Sequence, residues 1–194
     1  MHQPLSRRSL LSTLALGALG ALPGLANAQS STYPNHVVRV VMPWAAGGGG
    51  DALVRAMVPA LSQRLGQPVI VENRPGAIGT IGSQVAARSA PDGYTLVYGT
   101  ADSHSIAPHI LKTMPYDSRK DFVAVAPIGF TPLALIVHAS HPAKTLTQFL
   151  QMAKQAKQPL TYGSWGQGSS GQITMEALKQ KSKIDLLHIP YNGT

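Results

Sequence analysis

Four consecutive glycines, Gly47–Gly50, stand immediately before Asp51. An apolar run, Val37-Val38-Arg39-Val40-Val41-Met42, leads into them, and an amphipathic run from Asp51 to Leu65 leaves them. That order reads as strand, glycine loop, helix. Glycine tolerates positive φ and lets bare N–H groups approach a ligand. The first turn of a helix adds unpaired N–H groups and a partial positive charge. The chemistry such a junction offers is the holding of an anion, not the making of a bond. A flexible turn before an ordinary helix is the plainer alternative. Asp51 has an indirect part: its carboxylate caps the helix, holds the glycine loop in shape and repels a ligand carrying surplus negative charge, the plain alternative being a helix-start acid paired with Arg55. Trp44, just upstream, walls the apolar part of a ligand or packs into the core.

The same design recurs later. Leu160-Thr161-Tyr162-Gly163 reads as a strand, followed by Ser164-Trp165-Gly166-Gln167-Gly168-Ser169-Ser170-Gly171 and a helix from about Gln172 to Lys181. Two further loops follow strand signals: Gly99–His104, with Thr100, Ser103 and His104, and Tyr191-Asn192. The expected ligand-binding set is Trp44, Gly47, Gly48, Asp51, Thr100, Ser103, His104, Ser164, Trp165, Gly166, Gly168, Ser169, Tyr191 and Asn192. None of these four loops contains lysine or arginine. The expected ligand is therefore a small mono- or dicarboxylate held by glycine N–H groups, hydroxyls and amides, with two helix N-termini facing it. No cofactor and no metal are expected.

The elements between these loops supply the frame. Pro68 to Glu72 reads as a second buried strand, Ser83 to Ser89 as a helix, and Tyr94 to Tyr98 as a third strand after the Pro91-Asp92-Gly93 turn. Alternation of strand and helix with short connections predicts a parallel, doubly wound sheet. In such sheets ligands lie at the carboxyl ends of the strands, where both Gly47–Asp51 and Gly99–His104 fall. Phe122–Ile128 and Leu133–Val137 are apolar and β-rich and predict two strands crossing to a second lobe. Leu146–Ala156 reads as a helix and Leu186–Pro190 as a last strand. Two lobes, each presenting a hydrogen-bonding loop, predict a cleft that closes on a small polar ligand.

The chain has 194 residues, a net charge of +8 and a pI near 10.0. The basic residues are scattered apart from Lys179, Lys181 and Lys183, which fall on different helix faces, so nucleic acid is discounted as a partner. There is no cysteine, which excludes disulfides, thiol catalysis and cysteine metal sites. The seven histidines form no H-x-x-x-H pair, and no G-x-S-x-G elbow surrounds Ser164 or Ser169. Gly47, Gly49 and Ala52, with Glu72 ending the second strand, approximate a dinucleotide fingerprint. The Asn73-Arg74-Pro75-Gly76 that follows does not fit an NAD-type Rossmann enzyme, which ranks as the alternative.

At the start, Arg7-Arg8, the apolar run Leu10–Leu19 and Ala26-Asn27-Ala28 form a secretory signal of the Sec or twin-arginine type, predicted to be cleaved after Ala28. The apolar core is shorter than the roughly 20 residues that span a bilayer. The expected organisation is a signal peptide over 1–28, a first α/β lobe over 29–128 and a second, incomplete lobe over 129–194.

A set of short stretches in fixed order resembles one known family. They are Tyr33-Pro34; Val40-Val41-Met42-Pro43-Trp44 with Gly47-Gly48 and Asp51; Asn73-Arg74-Pro75-Gly76 with Gly79 and Ile81-Gly82; Pro91–Leu96; Pro115-Tyr116-Asp117 with Asp121-Phe122; Tyr162-Gly163-Ser164 with Gly166 and Gly168; and His188–Tyr191. Together they resemble the Bug (TctC) family, extracytoplasmic solute receptors of tripartite tricarboxylate transporters. The resemblance implies a type II periplasmic-binding fold and a carboxylate passed to membrane permease subunits. It further implies a periplasmic, monomeric, non-enzymatic protein, or alternatively a ligand sensor feeding a kinase. It also implies that the second lobe and the return to the first are truncated here. Ile78 stands where that family usually has glycine, and Asn192 where a basic residue is common.

Overall fold

The computed structural model describes residues 32–191, so the expected signal peptide, Gln29 and Asn192 lie outside the described residues. From Pro34 onward both sheets belong to one compact unit. The first sheet has three strands, β1 (Val38–Met42), β2 (Val69–Asn73) and β3 (Thr95–Val97), all parallel in the order β2-β1-β3. β1 is central, which explains its nearly unbroken apolar sequence: Val38, Val40, Val41 and Met42 are all buried. Val38, Val40 and Met42 join Val54 and Val69 in the main core, with Val58, Leu61 and Leu65 of helix α1 (Gly49–Leu65) packed over them. Arg39 is the one polar residue of β1 and ties three strands. Its guanidinium donates to Glu72 Oε2 (2.9 Å) on β2 and to Thr95 Oγ1 (3.3 Å) on β3.

Helix α2 (Thr80–Ala87) crosses close to the backbone of the first loop. Gly82 makes this approach feasible, because a Cβ there would lie 2.8 Å from both Arg74 O and Pro43 Cα. After β3 the chain enters a five-residue π-helical turn, Asp102–Ile106, continued by α3 (Ala107–Ile110). The second sheet pairs β4 (Leu160–Ser164) with β5 (Leu186–Pro190) in parallel, in register from Leu160–Leu186 to Ser164–Pro190. Helices α4 (Leu146–Gln155) and α5 (Ser170–Ser182) enclose its own core of Ala153, Tyr162, Met175, Ile184 and Leu186.

One sequence expectation fails. Phe122–Ile128 and Leu133–Val137 form neither strand nor helix. Val123, Val125, Phe130 and Ile136 are 80–101% exposed. A strand obtains its hydrogen bonds only from a neighbour, and among the described residues no strand pairs with this segment. β-branched composition records fitness for a half-buried pleated surface, and no such surface is present here to receive it.

Candidate functional site

At the first junction the glycine loop is held by one carboxylate. Asp51 lies in the first turn of α1 and is 3% exposed. Its Oδ2 accepts from Gly47 N (2.9 Å) and Arg55 Nε (2.8 Å), and its Oδ1 accepts from Asn73 Nδ2 (2.8 Å). The same Asn73 amide donates to Trp44 O at 3.0 Å. Asp51 thus pins both sides of the loop to the end of β2. Gly47 itself sits at φ 87°, a conformation that favours glycine. The hydrogen bond from Arg55, then those from Gly47 and Asn73, hold the Asp51 carboxyl far below the usual carboxylate range. With Asp51 turned to the loop and neutralised by Arg55, no side chain caps α1: Gly48 is an extended N-cap with no side-chain bond. The first-turn N–H groups of α1 therefore remain open to an anion. Trp44 is half-buried against the main core and beside Gly79.

The second junction is finished differently. Ser169 is fully buried and caps α5, its Oγ accepting from Gln172 N (3.3 Å), while Gln172 Oε1 accepts from Gly168 N (2.6 Å). This is a reciprocal box across the first turn. A further acceptor arrives from the other lobe. Asp102 Oδ1 accepts from Ser170 N (2.9 Å) and Oδ2 from Trp165 Nε1 (2.8 Å). Asp102 is 4% exposed and makes no ion pair among the described residues. The helix end expected to face the ligand is thus occupied by a carboxylate of the protein itself.

Other expected site hydroxyls are also engaged. Ser103 Oγ lies 2.8 Å from His104 Nδ1 and 3.2 Å from Thr100 Oγ1. His104 packs against Tyr116 and Phe122, and burial pushes its imidazole below the ordinary value. Ser164 Oγ lies 2.7 Å from His188 Nε2, and it also donates to Gly166 O (3.0 Å) and accepts from Ser169 Oγ (3.2 Å). This serine–histidine contact clips β4 to β5. The hydroxyl is buried and its bonds are taken up within the loop and by His188. Tyr191 is exposed, with its ring beside Gly163 and its N–H on Ser164 O (2.9 Å).

The lobes meet along the second loop. A Cβ at Gly166 would lie 3.7 Å from Ile78 Cγ2, and one at Gly168 would collide with Ile110 Cδ1. Ile78 is buried and holds φ 51°, ψ 35°, a strained conformation for a β-branched residue. Sequence reasoning left Asp102, Ile110 and Gln172 out of the site and marked Ile78 only as a departure from the family pattern. Asp102 lay inside a quoted loop, but its partners are 63 and 68 residues away. A cavity of about 640 Å³ is lined by His104, His109, Met114, Tyr116, Asp117 and Arg119 and contains no residue of either junction loop. The second loop is packed on Ile78, Asp102 and Ile110, and of the expected set only His104 lines this cavity.

A two-lobed α/β frame with strand-end loops facing each other is that of a periplasmic solute-binding protein. The chain belongs to the tripartite tricarboxylate transporter receptor family (TctC), whose profile matches residues 53–194. It is 36% identical over 186 residues to a UPF0065 protein of Bordetella pertussis, covering 95% of this chain and 56% of that one. The periplasmic binding protein BugD superposes with a TM-score of 0.68 at 30% identity, over 84% of this chain and 54% of its own. A Rhodopseudomonas palustris protein solved with adipate superposes with a TM-score of 0.71 at 30% identity, over 83% and 54%. The chain spans about half the length of the relatives it matches. Family members are solute-binding receptors and not enzymes.

Proposed function

We propose that this protein captures a small carboxylate in the cleft between its lobes and delivers it to the membrane permease of a tripartite tricarboxylate transporter. The observation that carries the reading is the uncapped N-terminus of α1, with its glycine loop fixed by Asp51 and no cation in the junction loops. The adipate in a structural neighbour supports the same ligand class. A dinucleotide reading loses its acid, because Glu72 is committed to Arg39 and Arg74, whose hydrogen bonds hold it below its ordinary pKa. The protein acts as a periplasmic monomer, with a signal peptide over 1–28, a first lobe over 29–128 and a second from 129.

The test is a thermal-shift panel on the full-length protein with carboxylates, amino acids, sugars and divalent cations. A carboxylate at 100 times its Kd adds about 2.7 kcal/mol of stability. Close, desolvated neutral donors are screened little, so that gain changes only weakly with salt. A strong shift with a sugar or a metal ion and none with any carboxylate overturns the reading. N-terminal sequencing of periplasmic protein should begin at or near Gln29, and an intact Met1 refutes the leader.

A further inference from the structure

We propose that the cavity beside the π-helical turn is a second anion site, separate from both junction loops, which takes a small organic molecule bearing a carboxylate or phosphate group, with Arg119 as its charge partner. The cavity measures about 640 Å³, within the roughly 300–1,000 Å³ of small-molecule pockets. One wall is the π-helical turn with α3. There His104 and Pro108, and Ser105 and His109, stand four residues apart and so share a face. The opposite wall is Met114 with Tyr116 to Arg119.

Both walls are fixed by the protein's own contacts. Tyr116 is buried, donates its O–H to Ser103 O (2.6 Å) and meets Phe122 edge-on, as His104 also does. Asp117 Oδ1 accepts from Arg119 N (2.9 Å) and Lys120 N (3.2 Å), and Asp117 N donates to Asp121 Oδ2 (2.7 Å), which tightens the turn that carries Arg119. The charges then select the ligand. Asp117 is the one acid of the lining, and its carboxylate is taken up by those two N–H groups and by Lys120 Nζ at 3.6 Å. Arg119 is exposed, and among the described residues its guanidinium has neither a hydrogen bond nor an ion pair. A guanidinium fork matches the paired oxygens of a carboxylate or phosphate. His104 has Ser103 Oγ at its Nδ1 and no partner at Nε2. Among the described residues no buried side-chain nitrogen or oxygen lacks a partner, so Nε2 is open to solvent. Burial keeps this ring neutral at neutral pH, so it offers a hydrogen bond and not a charge. Pro108 and Met114 add an apolar wall that a bare inorganic anion would leave unused.

The experiment is titration calorimetry on the full-length protein with benzoate, phenyl phosphate and, as the neutral analogue, benzyl alcohol. At least one of the two anions should bind, and at least about tenfold tighter than benzyl alcohol. Arg119→Gln, at an exposed position, should weaken that anion about tenfold or more. Asp51→Ala, which disables the α1 loop, should leave it within a few-fold. If Asp51→Ala does not fold, Arg119→Gln decides alone. No binding by either anion, equal binding of benzyl alcohol, or an affinity untouched by Arg119→Gln overturns the inference. An anion lost in Asp51→Ala and kept in Arg119→Gln sits in the cleft, which overturns the second site and leaves the carboxylate reading standing.

Discussion

At the first junction, four glycines run into a helix that begins without a side-chain cap, and the Asp51 carboxylate is drawn back into the loop by Gly47, Asn73 and Arg55. At the second, a comparable run of small residues opens into a helix capped by Ser169, boxed by Gln172 and touched from the other lobe by Asp102. The difference lies in where each acid sends its charge. Asp51 is neutralised and leaves the end of α1 available. Asp102 has no counter-ion among the described residues and fills the end of α5. Two junctions of one design are therefore finished differently: the end of α1 has no side-chain cap, and the end of α5 is filled from the other lobe.

Asp51 is where the comparison breaks most visibly. Asp51→Ala leaves Gly47 N, Asn73 Nδ2 and Arg55 without their shared acceptor, so the loop loses its fixed shape. Ligand affinity should fall roughly tenfold or more, with Tm falling alongside. If Tm falls and calorimetry shows affinity untouched, the loop is a turn and not a binding element. The pH dependence has a defined sign. The folded Asp51 pKa lies below its unfolded value near 4, so its stabilisation is complete above about pH 4 and is lost as pH falls through the folded value. Asp51→Asn should flatten the acid limb of Tm against pH below about pH 4, and leave the slope between about pH 5 and 8 unchanged.

Whether the second junction holds the lobes together is tested by Trp165→Phe, which keeps a ring over Gly171 and removes the N–H donated to Asp102. A hydrogen bond to a charged group contributes about 1.5–3 kcal/mol, and that much should be lost from unfolding stability. Scattering should show the lobes of the unliganded full-length protein further apart. An unchanged radius of gyration alongside the stability loss would reduce the contact to a local one. Ser169→Ala is smaller, about 0.5–2 kcal/mol for a lost cap, and should leave lobe separation as it was.

The elements of both junctions were legible because each is local. β1, α1, β2, β4 and β5 declare themselves by apolar run, glycine or serine loop, and helix period, and the parallel pairing follows from their alternation. Asp51 was readable as a loop clamp because Gly47 and Arg55 lie within one helical turn of it. What was not legible depends on distant partners. Asp102 reads as an acid out of place until Trp165 and Ser170 are seen beside it. The segment from Phe122 to Val137 reads as strands because composition does not reveal whether a neighbour exists to pair with. The saturated hydroxyls of Ser103, Ser164 and Ser169 read as ligand donors for the same reason.

Ile78 gives the most discriminating effect, because it is read from the order of two variants. It stands at φ 51°, ψ 35°, where an L residue pays roughly 1–2 kcal/mol that glycine does not. Against that, Ile78 is 8% exposed, with its branches against Gly166 and Gly168 of the other lobe. Burial of such a side chain contributes about 1.5–3 kcal/mol. Glycine also gives the unfolded chain more freedom, at about 0.4–1 kcal/mol. The opposing terms nearly cancel, so Ile78→Gly should cost only about 1–2 kcal/mol, while Ile78→Ala, which keeps the strain and loses the contact, should cost more. The order of the two variants in chemical denaturation is the test. Glycine less stable than alanine would mean that the left-handed backbone at this position carries no strain and that the lobe contact alone holds Ile78 in place.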